Sequence, residues 1–312
     1  MQIESIGIIG TGVIGSSWAA FYASKGFRVK MWDVDATVGQ NGQQQAVDTI
    51  KLLQTQGMLS GDTVQESISR IKVAGALEQA VENVQLVQES VAENYEIKQQ
   101  VFKALDAHTD PAAILASSSS GLLMTPIQQV TNHPGRCLIA HPFNPPHLIP
   151  LVELVPGDET DEQAISKMKI FYEGLGKVPV VLKKAVPGHL ANRLAMALWR
   201  EAVDLVANGI ASVEDVDKAV SAGPGLRWAV MGPHMIYHLG GGPGGMDHFI
   251  DHFAPAVKVW WESLASWTSL PPEAKNLLVG GLKEEMGERT MADMNRMRDE
   301  KLVKMLKILF ED

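Results

Sequence analysis

Apolar positions fall into two regimes along the chain. Up to about residue 183, short apolar runs alternate with stretches in which apolar residues recur every three or four positions. The runs at residues 6–9, 27–32, 71–74, 84–88, 113–116, 136–140, 151–155 and 178–183 predict strands. Helical periodicity covers residues 14–24, 36–56, 77–81 and 95–108, the last with Ile97, Val101, Phe102 and Leu105 on one face. Gly26 and Gly57 stop the first two of these helices, and a polar segment with short helical pieces runs on to about residue 69. Strands alternating with helices predict a mostly parallel, doubly wound sheet covered on both faces. From residue 187 the pattern is helical throughout. Leu190, Leu194, Leu198 and Val206 mark a helix over 187–207, and Ser212 reads as the N-cap of the next. Further helices are predicted over 233–239, 245–266, 272–286 and 291–310, the last amphipathic through Met294, Met297, Leu302, Met305, Leu306 and Leu309. The pattern therefore predicts an α/β domain over residues 1–186 and an all-α domain over 187–312.

The first strand, helix and second strand enclose Gly10-Thr11-Gly12-Val13-Ile14-Gly15 and end on Asp33. Gly10 permits a tight turn, Gly12 lets a pyrophosphate approach the backbone, and Gly15 lets the helix pack close to the strand. The phosphates then meet the free N–H groups at the helix start, around Val13 and Ile14. Asp33 can accept hydrogen bonds from both ribose hydroxyls and would repel a 2′-phosphate, so the expected cofactor is NAD rather than NADP.

Composition narrows the partners. The 312 residues carry 46% hydrophobic and 20% charged residues, ordinary for a globular protein of two domains. A formal net charge of −9 argues against nucleic acid or an anionic membrane as partner. No apolar stretch approaches the roughly 18 residues of a membrane helix. The chain runs directly into its first strand with no targeting segment, and the lone Cys137 fits a reducing cytoplasm.

Candidate chemistry gathers at strand ends. Ser120 closes a serine-rich turn after the fifth predicted strand, His141 follows the sixth, Glu153 lies in the seventh, and Asn192 opens the helical part. An alcohol dehydrogenase needs a base near neutral pKa, which histidine provides, and a carboxylate can orient the ring. Taken alone, the same residues suit a satisfied core histidine and a surface glutamate on an edge strand equally well. His234 with His238, and His248 with His252, have metal-ligand spacing but no accompanying HExxH glutamate, so no metal is expected. Gly240 to Gly245 reads as a loop rather than a phosphate cradle, because no strand precedes it.

Together, Gly10-x-Gly-x-x-Gly15, Ser120-Gly-Leu, His141-Pro-Phe-Asn-Pro-Pro, Leu151-Val-Glu-Leu-Val and Val186-Pro-Gly-x-x-x-Asn192-Arg-Leu resemble the 3-hydroxyacyl-CoA dehydrogenase superfamily over essentially the whole chain. The resemblance implies a Rossmann-type NAD domain and a helical domain that forms a homodimer. It also implies His141 as general base, Glu153 as its partner, and Ser120 and Asn192 on the substrate oxygen. Glu93 and Lys98 match positions near the nicotinamide half of the cofactor. In the acyl-CoA enzymes the helix after the second strand is lysine-rich and grips the CoA phosphates. Here it carries Gln40, Gln43, Gln44, Gln45, Gln54 and Gln56, with Lys51 its only cation, so a free hydroxy acid is expected instead. Its carboxylate would need a cation, for which Arg193, Arg200 and Arg227 are candidates. A quaternary ammonium on the same substrate would want an aromatic wall, which Trp199 and Trp228 can offer, although each taken singly also suits helix packing.

Overall fold

The computed structural model describes residues 2–59 and 63–310, so part of the polar segment expected after Gly57 lies outside the described residues. Two compact units emerge, residues 1–193 and 194–312. The first runs β1 (Ser5–Ile9), α1 (Val13–Ser24), β2 (Arg28–Trp32), α2 (Ala36–Thr55), α3 (Val64–Ser69), β3 (Ile71–Val73), α4 (Leu77–Val81) and β4 (Leu86–Glu89). It continues through α5 (Tyr95–His108), β5 (Ile114–Ser117), α6 (Met124–Gln128), β6 (Cys137–Pro142), β7 (Leu151–Pro156), α7 (Glu162–Gly174) and β8 (Val178–Val181).

These strands form one sheet in the order β3-β2-β1-β4-β5-β6-β7-β8. All neighbours are parallel except β6 and β7, which run antiparallel. Strand alternation splits the apolar residues into two layers, one on each face. Ile6, Ile8, Leu138, Ala140, Val152 and Leu154 pack with Trp18 and Tyr22 of α1 and Met168 and Tyr172 of α7. Ile9, Leu115, Cys137, Ile139 and Val155 pack on the other face with Phe102 and Leu105 of α5. Helix starts are fixed by side chains: Asp35 accepts from Thr37 N at 2.7 Å to cap α2, and Asn94 accepts from Ile97 N at 3.1 Å to cap α5.

Three expectations need correction. His141 lies inside β6 rather than past its end. Glu153 is buried, and β7 is interior because β8 pairs beyond it, so the surface reading of Glu153 fails. The helix expected from residue 187 starts only at Ala191, because Gly188 and His189 have φ of 75° and 50°, the left-handed region that breaks a helix. Helix α7 escaped the periodicity: its buried face is only Ala164, Met168 and Tyr172, while Ile170 is exposed.

The second unit is helical. Helix α8 (Ala191–Ala207) begins in the first unit, and α9 (Val213–Ala222), α10 (Pro224–Val230), α11 (Pro233–Gly240), α12 (Gly245–Ser263), α13 (Ala274–Met286) and α14 (Met291–Phe310) follow. Ser212 caps α9 by accepting from Asp215 N at 3.1 Å. The glycine stretch between α11 and α12 closes as a 3-10 turn, Gly242–Gly244. Among the described residues no helix is long and apolar enough to cross a membrane.

Candidate active site

Strand order reverses at β1, with β2 on one side and β4 on the other, and open α/β sheets bind ligands beyond the carboxyl ends of strands at such a point. The three glycines of the turn after β1 play different parts. A Cβ on Gly10 would lie 2.6 Å from the Ser90 backbone, and one on Gly15 would lie 1.9 Å from the Gly10 carbonyl oxygen. Those two are packing requirements. A Cβ on Gly12 would meet nothing within 4 Å, so Gly12 is spared a side chain for the sake of something that approaches from outside. Gly12 is also the N-cap of α1 and makes no side-chain cap bond, which leaves the N–H groups around Val13 and Ile14 available to a phosphate.

Asp33 is fixed at the tip of β2, where its Oδ2 accepts from Thr11 N at 2.8 Å and Thr11 Oγ1 at 3.1 Å. A cavity of about 620 Å³ opens beside it, lined by Asp33, Val34, Gly39, Ala74 and Leu77 among others. A second cavity of about 560 Å³ takes in Ile14, Glu93, Lys98, Ser120, His141 and Asn192. An open glycine, a free helix start, a held acidic residue and a cavity at each end fit an extended dinucleotide.

His141 and Glu153 are register partners in the antiparallel β6–β7 pair, so their side chains emerge side by side on one face of the sheet. His141 Nδ1 and Glu153 Oε2 are 2.8 Å apart, and both side chains are buried. Glu153 Oε1 accepts from the N–H groups of Leu190 and Ala191 at 2.8 and 2.9 Å. Burial works against the charge of Glu153, but His141 and these two N–H groups outweigh it and hold the carboxyl below its usual range. An ionised Glu153 can only accept, so Nδ1 carries a proton, and in the neutral ring Nε2 is then the atom with the lone pair.

Glu93 organises the serine turn. Its Oε1 accepts from Ser119 Oγ at 2.7 Å and from the N–H groups of Ser120 and Gly121 at 2.9 Å each. Burial opposes its ionisation, yet Ser119, Lys98 and the N–H groups of Gly121 and Leu122 keep its carboxyl below the usual value. Lys98 Nζ lies 2.8 Å from Glu89 and 3.5 Å from Glu93, with the Lys98 and Glu89 side chains fully buried. Glu89 also accepts from Ser117 Oγ at 2.5 Å and from Val91 N at 2.6 Å. Asn192 Nδ2 donates to the Ser120 carbonyl at 2.9 Å, which uses one of its two amide hydrogens and leaves the other.

After His141 the chain runs through Phe143 and Asn144, which line the same cavity, to Pro150. Lys177 anchors that segment by donating to the carbonyls of Pro146 and, at 2.8 Å, Ile149, while its ammonium sits 4.3 Å from the Phe21 ring. Burial and the charge of Lys25 push Lys177 down to about 7, against the carbonyls and ring faces that favour the ammonium. Ser17 holds the same segment through His147 N at 3.1 Å.

Of the residues expected on the sequence, Ser120, His141, Asn192, Glu93 and Lys98 share one cavity, with Glu153 behind His141. Asp33 lies at the other cavity. Arg193 reaches the Pro187 carbonyl at 3.4 Å. Trp199 on α8 and Arg227 and Trp228 on α10 belong to the second unit, where Trp199 is exposed. Arg200 reaches the Trp267 carbonyl at 3.5 Å within that unit. Glu89, Lys177 and His189 had no assigned part. The one signal in sequence for Glu89 is an acid ending an apolar strand; Lys177 and His189 take their places from tertiary contacts alone.

Setting a dinucleotide cradle beside a buried histidine–glutamate pair is a layout that suits a nicotinamide-dependent dehydrogenase. Comparison with known proteins agrees. The 3-hydroxyacyl-CoA dehydrogenase NAD-binding domain matches residues 5–185, and the C-terminal domain of the same family matches residues 188–275. The chain belongs to the 3-hydroxyacyl-CoA dehydrogenase family. It is 40% identical to an L-carnitine dehydrogenase of Streptomyces coelicolor over 98% of this chain and 95% of that protein. It is 39% identical to an L-carnitine dehydrogenase of Pseudomonas putida, over 98% and 94%. A solved 5-formyl-3-hydroxy-2-methylpyridine 4-carboxylic acid 5-dehydrogenase, an NAD-dependent dismutase, superposes with a TM-score of 0.84 at 28% identity over 99% of both chains. The chain is thus an NAD-dependent oxidoreductase acting on a 3-hydroxy group, with NAD as its cofactor.

Proposed function

We propose that this protein oxidises the L-3-hydroxy group of a small free hydroxy acid, L-carnitine foremost, to the 3-oxo acid. The observation that carries the reading is full-length similarity to L-carnitine dehydrogenases, reaching 40% identity. The α2 surface supports it: Lys51 is paired with Asp48 at 3.2 Å, and the glutamines offer no cation for a CoA phosphate.

In this reading His141 Nε2 takes the hydroxyl proton, and Glu153 stabilises the imidazolium that forms. Ser120 Oγ and the remaining Asn192 amide hydrogen donate to the developing carbonyl oxygen. Bound NAD supplies the acceptor for the hydrogen that leaves carbon with its electron pair. Gly10, Gly12, Val13, Ile14, Gly15 and Asp33 would hold its adenosine and pyrophosphate, with Glu93 and Lys98 toward the nicotinamide. Arg193 and Arg227 are the cations offered to the substrate carboxylate, and Trp199 and Trp228 the aromatic faces offered to its trimethylammonium. A homodimer through the helical unit completes the reading.

The test is turnover of L-carnitine with NAD by the wild type and by His141→Gln. Loss of one general base cuts kcat by about 10²- to 10⁴-fold, while NADH affinity stays unchanged. Near-normal turnover in the variant, or a wild type inert to L-carnitine, overturns the reading.

A further inference from the structure

His189 is fully buried and takes a left-handed backbone, φ 50°, directly after Gly188 at φ 75°. Positive φ is uncommon for any residue but glycine, histidine included, so the surroundings must hold it there. Its Nε2 lies 2.9 Å from the Ser119 carbonyl oxygen. A carbonyl can only accept, so Nε2 carries the hydrogen. Nδ1 is buried with no partner among the described residues, and the ring centroid lies 5.4 Å from that of His141. A buried polar atom left unmatched is rare, and a phenylalanine would fill this volume without that cost.

The surrounding bonds give the ring a task. Gly188 N donates to the Gly121 carbonyl at 3.3 Å, His189 to Ser119, and Asn192 Nδ2 to the Ser120 carbonyl at 2.9 Å. The same short segment gives Leu190 N and Ala191 N to Glu153. One turn of chain therefore touches both the serine turn and the carboxylate behind His141. Of its bonds to the serine turn, only that of His189 comes from a buried ring.

We propose that His189 is a positioning residue: its Nε2–H bond to Ser119 keeps the donors Ser120 and Asn192 in register with the His141–Glu153 pair. The proposal rests on His141 being the base. His189 stays neutral while His141 takes the proton: burial keeps its pKa below the usual value, aided by His141 and opposed by its bond to Ser119. A charged Nδ1–H would also find no acceptor among the described residues.

Glutamine can offer its amide nitrogen where Nε2 stands, whereas phenylalanine keeps the volume and loses the donor. The experiment compares His189→Phe and His189→Gln by steady-state kinetics, NADH titration and thermal melting. We expect His189→Phe to lose about 10- to 100-fold in kcat through misplacement, and His189→Gln to recover all but about threefold. KM for NAD and NADH affinity should stay near wild type in both. A packing role gives the reverse order, with Phe tolerated and Gln impaired. That order, or equal loss in both variants, overturns the proposal. Should His189→Phe fail to fold, nitrogen NMR of histidine-labelled wild type, assigned with His189→Gln, reads the tautomer directly. An Nε2–H, bare-Nδ1 signal supports the proposal, and an Nδ1–H signal overturns it. Retained kcat in His141→Gln would instead sink the base assignment, whichever way the His189 variants order.

Discussion

Glu153 stays charged where burial would neutralise it, and three donors keep it so: His141 Nδ1 on one carboxylate oxygen, and Leu190 N and Ala191 N on the other. Its folded pKa is depressed, so its contribution to stability is present above the unfolded glutamate value of about 4.3 and is lost as pH falls through the lower folded value. Glu93 adds to the same trend. Melting temperature should therefore drop more steeply as pH falls below about 4.3 in the wild type than in Glu153→Gln; parallel curves would contradict the charged, bonded carboxylate. Sequence named His141 and Glu153 but left their environment open, because burial of Glu153 depends on β8 pairing outside β7, which no local pattern records. Glu89, Lys177 and His189 were less legible still. Each is a polar residue whose partners, Lys98, the 146–149 carbonyls and Ser119, come from elsewhere in the chain.

At the scale of elements, the turn between β1 and α1 was readable because the glycine spacing between a strand and a helix itself carries the signal, although Gly10 is also required by the distant Ser90 backbone. The structure divides those causes, and the division can be measured. Gly15→Ala must clash with the Gly10 carbonyl and should lower the melting temperature clearly, whereas Gly12→Val meets open space and should fold normally. Gly12→Val should nonetheless weaken NADH binding by more than about tenfold, or about 1.4 kcal/mol. Unchanged NADH affinity in Gly12→Val would remove the pyrophosphate from this turn. The start of α8 was misplaced for the opposite reason. Apolar spacing from Leu190 onward is helical, but Gly188 and His189 are held in left-handed backbone, His189 by its bond to Ser119, which periodicity does not sense.

For the whole molecule, the second unit leaves large apolar side chains exposed, including Trp260 at 59%, Trp261 at 73% and Ile308 at 81%. Self-association through the helical unit, as proposed above, would cover such side chains. If the proposed dimer forms, light scattering behind size exclusion should give twice the chain mass of 33.9 kDa, and a monomer at micromolar concentration would contradict the proposal. The most direct measurement is NADH formation with L-carnitine, D-carnitine, L-3-hydroxybutyrate, L-gulonate and L-3-hydroxybutyryl-CoA, each with NAD and with NADP. The account predicts highest kcat/KM for L-carnitine with NAD, little turnover of the D enantiomer, and weak use of NADP because of Asp33. Faster turnover of the CoA thioester, or of a hydroxy acid without the ammonium, would contradict it.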